Sequence, residues 1–351
     1  MSCALLLSIA SVSADTRPSD GLSSVDGPII GPSPVEDGTA EPPGALPEVD
    51  RPAGSPEPSA AEVDGPAGSP GPPAAVDAEV DAAPIRSSRW SAGVRVRARA
   101  ALVVDMQKGE VIYQKNATSP FPVASITKLM TAVTFMGMNP DLDKQVSITR
   151  QDVYRANWTK LRFRERVSAR DLLYATLIAS DNAAARALAR ATGLTIEAFV
   201  ERMNETAASL GLANSRFTEP TGLDSGNTST AVDCVALLWN ALQDDLLAEI
   251  LLAKEHRFGT NRRTHTIRTT NRLVREPVSE SRWACVGSKT GYIRRAGYCL
   301  VLRAVGNDGD DLYAVILGGP TSRTRFTDMR RLLDWSVNTG RDAGPQAGVG
   351  S

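Results

Sequence analysis

At 351 residues the chain is long enough for two domains, but its composition is not uniform. Residues 15–85 hold 15 of the 22 prolines and 14 Asp+Glu against two Arg, a net of −12, so the overall formal charge of −1 hides +11 on residues 86–351. A stretch so polar and proline-rich cannot bury enough apolar surface to offset its ordering entropy, which excludes a second folded core there.

In chain order, the first 14 residues read as a short export signal. An apolar run, Ala4–Val12, precedes the small-x-small site Val12-Ser13-Ala14, and the basic n-region residue usual in such signals is missing. Cys3 lies before the apolar run, badly placed for a lipoprotein cysteine. Residues 15–92 then read as an acidic, extended tether in which 49–56 recurs loosely as 63–70; two copies without apolar periodicity do not make a solenoid. No later run approaches ~20 apolar residues, so no transmembrane anchor is expected once the signal is removed. The folded domain is assigned to 93–340 and a flexible tail to 341–351.

Val94, Val96, Ala98 and Ala100 alternate with Arg95, Arg97 and Arg99, which predicts a strand running on through Leu102-Val103-Val104. Met106 to Glu110 makes a turn and Val111-Ile112-Tyr113 returns. Ile126, Leu129, Met130, Val133 and Met136 have helical spacing, so a largely buried helix begins at Ser125. Ser168-Ala-Arg-Asp171 is a capping-box start for Leu172–Ile178, and Thr195 starts a helix that Gly211 stops. Residues 284–291, 296–303 and 312–318 read as three successive strands, and 324–337 as a closing helix. Strands at both ends with helices between them predict an α/β (α+β) fold: an antiparallel sheet flanked by helices, with a mostly helical subdomain. Cys234, Cys285 and Cys299 read as small buried residues. A turn near Arg294-Arg295 sets Cys299 opposite Thr290, leaving Cys285 roughly 17 Å along the strand.

Three motifs fall in order: Ser125-Ile-Thr-Lys128 at a helix start, Ser180-Asp181-Asn182 between helical runs, and Lys289-Thr290-Gly291 at a strand end. A serine in a helix's first turn has backbone N–H groups and the positive dipole end beside it. Lys128 projects from the same face and can reach the Ser125 hydroxyl, acting as a base if burial and a nearby cation, supplied by Lys289, lower its pKa. Ser180 can relay a proton to a leaving amine, and Asn182 can hold a substrate amide and Lys128 together. Gly291 lets a substrate peptide lie along the strand edge. Singly, these motifs are a solvated pair, a helix cap and a turn; the ordered triple is specific for serine acyl-enzymes of the β-lactamase and penicillin-binding kind.

Residues from about 95 to 338 resemble the D-alanyl-D-alanine carboxypeptidase/endopeptidase family of low-molecular-mass penicillin-binding proteins, and among these the endopeptidases of penicillin-binding protein 7 type. The stretches that carry the resemblance are 122–131, 180–184, 210–223, 270–274, 289–293 and 296–298. It implies a β-lactamase/transpeptidase-like fold in which Ser125 is acylated, with Lys128 its general base and Ser180 and Asn182 the second motif. Lys289 would bind the substrate's carboxylate with Thr290 and Gly291 beside it, and the backbone N–H groups of Ser125 and Tyr292 would form the oxyanion hole. It further implies peptidoglycan stem peptides as substrate, β-lactams as inhibitors, a periplasmic or wall-associated location, and no metal or organic cofactor.

Other residues give weaker signals. His256 and His265 lie in no nucleophile motif. Glu219-Pro-Thr-Gly222 reads as a turn at the cleft rim. The arginine-rich stretches 162–170 and 262–275 are either solvated faces or an attraction to anionic wall polymer; no motif for nucleic acid accompanies them. The rival functions are a D,D-carboxypeptidase, a class A β-lactamase and a non-catalytic wall-binding module. The sequence shows neither the C-terminal β-domain nor the amphipathic anchor helix common in carboxypeptidase relatives, which tilts the reading toward an endopeptidase. No Glu-x-x-Leu-Asn string lies between Asn182 and Lys289, which disfavours the β-lactamase, and the complete set of catalytic side chains disfavours the inert module.

Overall fold

The computed structural model describes residues 94–275 and 281–339; the export signal, the tether and the tail lie outside the described residues. A five-stranded antiparallel sheet in the order β2-β1-β11-β10-β9 forms the centre, from β1 (Ala100–Asp105), β2 (Glu110–Lys115), β9 (Trp283–Ile293), β10 (Gly297–Gly306) and β11 (Asp311–Gly319). All six residues of β1 are buried, because both faces of the sheet are covered. Ala101 and Val103 join Leu300, Leu302, Ala314 and Ile316 against Met329, Leu332 and Leu333 of the closing helix, Ser322–Thr339. Leu102 and Val104 point the other way, with Val301 and Val315, into the larger core beneath the helices.

That helical block is built around α1 (Thr127–Met136), which packs on α3 (Ala169–Leu177), α4 (Asn182–Ala191), α5 (Ile196–Ser209) and α6 (Ala231–Ala241). One-turn α2 (Arg150–Val153) precedes α3 and packs on α4. Helix α6 reads AVDCVALLWNA and is buried almost all round, because it lies between the sheet and α1. Helix α7 (Asp245–Leu252) packs on α3 and on β9, and α8 (Arg272–Arg275) is a single turn. Short two-stranded ladders stitch the loops: β3 (Phe121–Pro122) with β6 (Thr228–Ser229), β4 (Gln145–Ser147) with β5 (Arg166–Ser168), and β7 (Glu255–Gly259) with β8 (Thr264–Arg268).

Three expectations need correction. Residues 94–99 keep the predicted in–out burial alternation, yet the ladder begins only at Ala100. The chain there lies across the closing helix: Arg97 N–H donates to Asp328 Oδ2 at 2.8 Å and Arg331 Nη1 to Arg95 O at 3.0 Å. The β9–β10 register pairs Cys299 with Gly291, one residue from the expected Thr290, while an irregularity at Arg303/Ala304 restores the expected register so that Cys285 faces Ala304; all three cysteines are free. Cys234 and Cys299 are buried, whereas Cys285 is only half-buried. Ser168 caps α3 as expected, accepting from Asp171 N–H at 3.0 Å.

Candidate active site

Ser125 does not open the long helix directly. It sits in a 3-10 turn, Ala124–Ile126, between β3 and α1, and Ala124 holds a left-handed φ of 50°. Two glycines make that corner possible. A Cβ at Gly222, itself at φ 80°, would lie 2.1 Å from Ala124 O and 2.8 Å from Ser125 N. A Cβ at Gly291 would lie 2.8 Å from Val123 O and 3.0 Å from Ser125 N. Gly291 therefore lacks a side chain first because edge strand β9 presses against the serine turn, and not only to admit a peptide.

The Lys128 side chain is fully buried, and its Nζ lies 3.2 Å from Ser125 Oγ, 2.6 Å from Asn182 Oδ1 and 2.5 Å from Thr221 O. Burial lowers its pKa from 10.5 to about 7; Glu219 and Asp181 oppose the shift and Arg186 assists it. Burial is thus the main cause, and the neighbouring Lys289 is itself held well below its ordinary value by burial, Lys128 and Arg325. A neutral Lys128 amine has two N–H bonds for the two carbonyl oxygens and a lone pair left for the Ser125 hydroxyl. That is the arrangement a base requires.

The second motif is built by the α3–α4 loop. Asp181 caps α4, accepting from Ala184 N–H at 3.0 Å, and its other oxygen takes Thr159 Oγ1 at 2.9 Å and Lys160 N–H at 2.8 Å. The central Asp of the motif thus fixes the loop that walls the cleft. Asn182 Nδ2 donates to Ala156 O at 2.6 Å, so this amide spends one donor on that loop while its oxygen holds Lys128. Ser180 has φ 58° and accepts from Lys289 Nζ at 2.9 Å; Lys289 also donates to Thr290 O at 2.9 Å. Thr290 Oγ1 lies 2.5 Å from Thr270 Oγ1, and Tyr292, half-exposed, stacks on Tyr298 with ring centroids 4.1 Å apart. Ser125, Ser180, Asn182, Thr290, Gly291 and Tyr292 share one cleft of roughly 590 Å³.

Two contributors escaped the sequence reading. The Glu219–Gly222 segment is more than a rim turn: the Glu219 carboxylate accepts from Thr221 N–H (2.7 Å), Thr221 Oγ1 (2.6 Å) and Asn227 Nδ2 (2.6 Å), which aims Thr221 O at Lys128. Arg325, on the closing helix, is buried with Nη1 donating to Gly291 O at 3.1 Å and Cys299 O at 3.2 Å. Burial lowers it to about 10, so it stays charged at neutral pH. The periodicity of its helix gave no hint that it reaches the cleft.

The family model described as D-alanyl-D-alanine carboxypeptidase matches residues 87–321. The chain belongs to that family. It is 34% identical over 245 residues to the D-alanyl-D-alanine endopeptidase of Escherichia coli (strain K12), covering 69% of this chain and 77% of that one. It is 35% identical over 253 residues to the D-alanyl-D-alanine carboxypeptidase DacC of the same organism, covering 68% and 61%. The Streptomyces K15 DD-transpeptidase superposes with a TM-score of 0.64 at 26% identity, covering 70% of this chain and 98% of that one. The D-alanyl-D-alanine carboxypeptidase from Mycobacterium tuberculosis H37Rv does so with 0.64 at 26%, covering 75% and 100%. The fold is therefore that of the penicillin-binding D,D-peptidases, and the protein is a serine-type D,D-peptidase, a hydrolase. Among the described residues no helix is long and apolar enough to cross a membrane.

Proposed function

We propose that this D,D-peptidase is an exported, wall-associated endopeptidase that cleaves the D-alanyl–diamino-acid cross-links of peptidoglycan through an acyl-enzyme on Ser125, and that β-lactams trap it there. The observation that carries the mechanism is the buried Lys128 amine, with two carbonyl acceptors and Ser125 Oγ around it. Ser125 Oγ attacks the D-alanyl carbonyl carbon and its proton passes to the Lys128 lone pair. The oxyanion forms between the backbone N–H groups of Ser125 and Tyr292, where Gly291 brings β9 against the serine turn. As the C–N bond breaks, the proton on Lys128 passes through Ser180, which Lys289 holds, to the leaving nitrogen, and Lys128 is neutral again. Water then attacks the ester carbonyl while Lys128 takes its proton, and as the ester C–O bond breaks Lys128 returns that proton to Ser125 Oγ, restoring the hydroxyl. The carboxylate beside the scissile bond is received by Lys289, Thr290 and Arg325.

The endopeptidase preference is supported by the similarity to the E. coli endopeptidase, which extends over more of that relative's length than the match to DacC does. Digestion of purified cross-linked muropeptide dimers and of monomeric pentapeptides, followed by mass spectrometry, tests it. Dimers should fall to monomers. Release of free D-alanine from pentapeptide with dimers left intact would overturn the endopeptidase reading in favour of a carboxypeptidase.

A further inference from the structure

Beyond Trp158 and Arg325 the catalytic cleft opens into a second one, also about 590 Å³, and the two share Trp158, Ala179, Thr270 and Arg325 in their walls. Lys160, Arg268, Arg272, Arg275 and Arg325 line the second cleft, and none of its described lining residues is acidic. Lys160 and the first three arginines are exposed and come from three places in the fold: the loop walling the site, strand β8 and the turn α8. Lys160 Nζ donates to Thr266 O at 2.9 Å, which ties the loop to β8. Arg268 contacts Glu255 at 3.1 Å in a pair exposed on both sides, an interaction weak enough to exchange. Among the described residues, neither Arg272 nor Arg275 has an ion-pair partner.

A second observation points to a ligand. Arg325, at the junction of the two clefts, is 7% exposed, has no carboxylate partner among the described residues, and its buried Nε has no hydrogen-bond partner. Its Nη1 donates to Gly291 O and Cys299 O and its guanidinium lies over the Phe326 and Tyr298 rings, but these neutral groups leave a net charge that an anion brought from outside would balance, with Nε free to bond it.

We propose that this outer cleft is an anion-binding subsite for the leaving half of the substrate, an acidic peptide whose further carboxylates pair with Lys160, Arg268 and Arg272. The proposal rests on the endopeptidase reading. The cleft continues from the Lys289–Thr290–Arg325 end, where the carboxylate beside the scissile bond lies, and therefore on the leaving-group side. A single D-alanine ends at that carboxylate and cannot reach the outer cations. The amine released from a cross-link carries its own stem peptide, with carboxylates beyond the reacting end. The outer cleft would thus distinguish cross-link from terminal residue.

The test separates binding from cleavage. Binding of a cross-linked dimer to the Ser125→Ala protein is measured against binding of the same dimer with the acceptor stem's glutamate and terminal carboxylates amidated, the carboxylate beside the scissile bond being left free. The native dimer should bind about tenfold more tightly, about 1.4 kcal/mol, and Arg268→Gln with Arg272→Gln should abolish the difference. Equal binding of the two dimers, or a preference that survives both arginine substitutions, overturns the subsite. Failure of the wild type to cleave dimers would overturn the endopeptidase reading instead, and the binding data would still decide the subsite. Penicillin labelling of the arginine variants with Ser125 restored confirms that they fold.

Discussion

The corner that holds Ser125 and Lys128 and the rim that carries Lys160, Arg268 and Arg272 both present cations, and they treat them in opposite ways. Lys128 has no contact with solvent, and burial brings its pKa to about 7 so that the amine can be a base. The rim side chains are exposed to solvent, where they are suited to attracting an anion. Arg325 lies between the two: buried like Lys128, but with a guanidinium that keeps its charge. The same sign of charge becomes a catalyst or a selector according to its access to water and to whether the side chain can lose a proton.

The packing of the corner is its most vulnerable feature. Gly222→Ala adds strain at positive φ and drives a Cβ into Ala124 O. It should cost about 2–5 kcal/mol in urea melts and abolish penicillin acylation at measurable rates. Lys128→Gln keeps the volume and removes the base, so the acylation rate should fall about 10²–10⁴-fold with the melting curve little changed. The wild-type acylation rate should climb tenfold per pH unit below about 7 and level off above it, because the Lys128 amine accepts a proton only when neutral. A rate flat from pH 5 to 9 would mean that Lys128 does not limit the step. At the rim, raising salt from low to molar concentration should weaken dimer binding several-fold while the acylation rate changes little. Deleting residues 15–85 should alter hydrolysis of soluble substrate least of all, to within a factor of about two on the argument that a chain of that composition forms no core.

The sequence made the corner legible and the rim much less so, for reasons that lie in the residues. Ser125, Lys128, Ser180, Asn182 and Lys289 announce themselves because short motifs fix their local geometry, and the sheet announces itself because residues such as 312–318 are apolar without interruption. Helix α6 was not foreseen, since apolar side chains on nearly every face leave no 3.6-residue stripe. The β7–β8 hairpin was missed too: its buried residues are few, and Thr260-Asn-Arg-Arg263 lacks the glycine that marks a tight turn. Thr221 and Arg325 act across 93 and 34 residues of chain, on Lys128 and Gly291 respectively, and no local pattern encodes such contacts. The arginines of 262–275 were visible as charge, but only the fold places Arg268 and Arg272 around a cleft that opens from Ser125.

The central claim is that Ser125 is the acylated nucleophile. Brief exposure of the wild type to a penicillin, then proteolysis and mass spectrometry, should place one penicilloyl group on the Ser125 hydroxyl, and Ser125→Ala should carry none. An adduct on any other residue, or labelling of Ser125→Ala at the wild-type rate, would contradict the account.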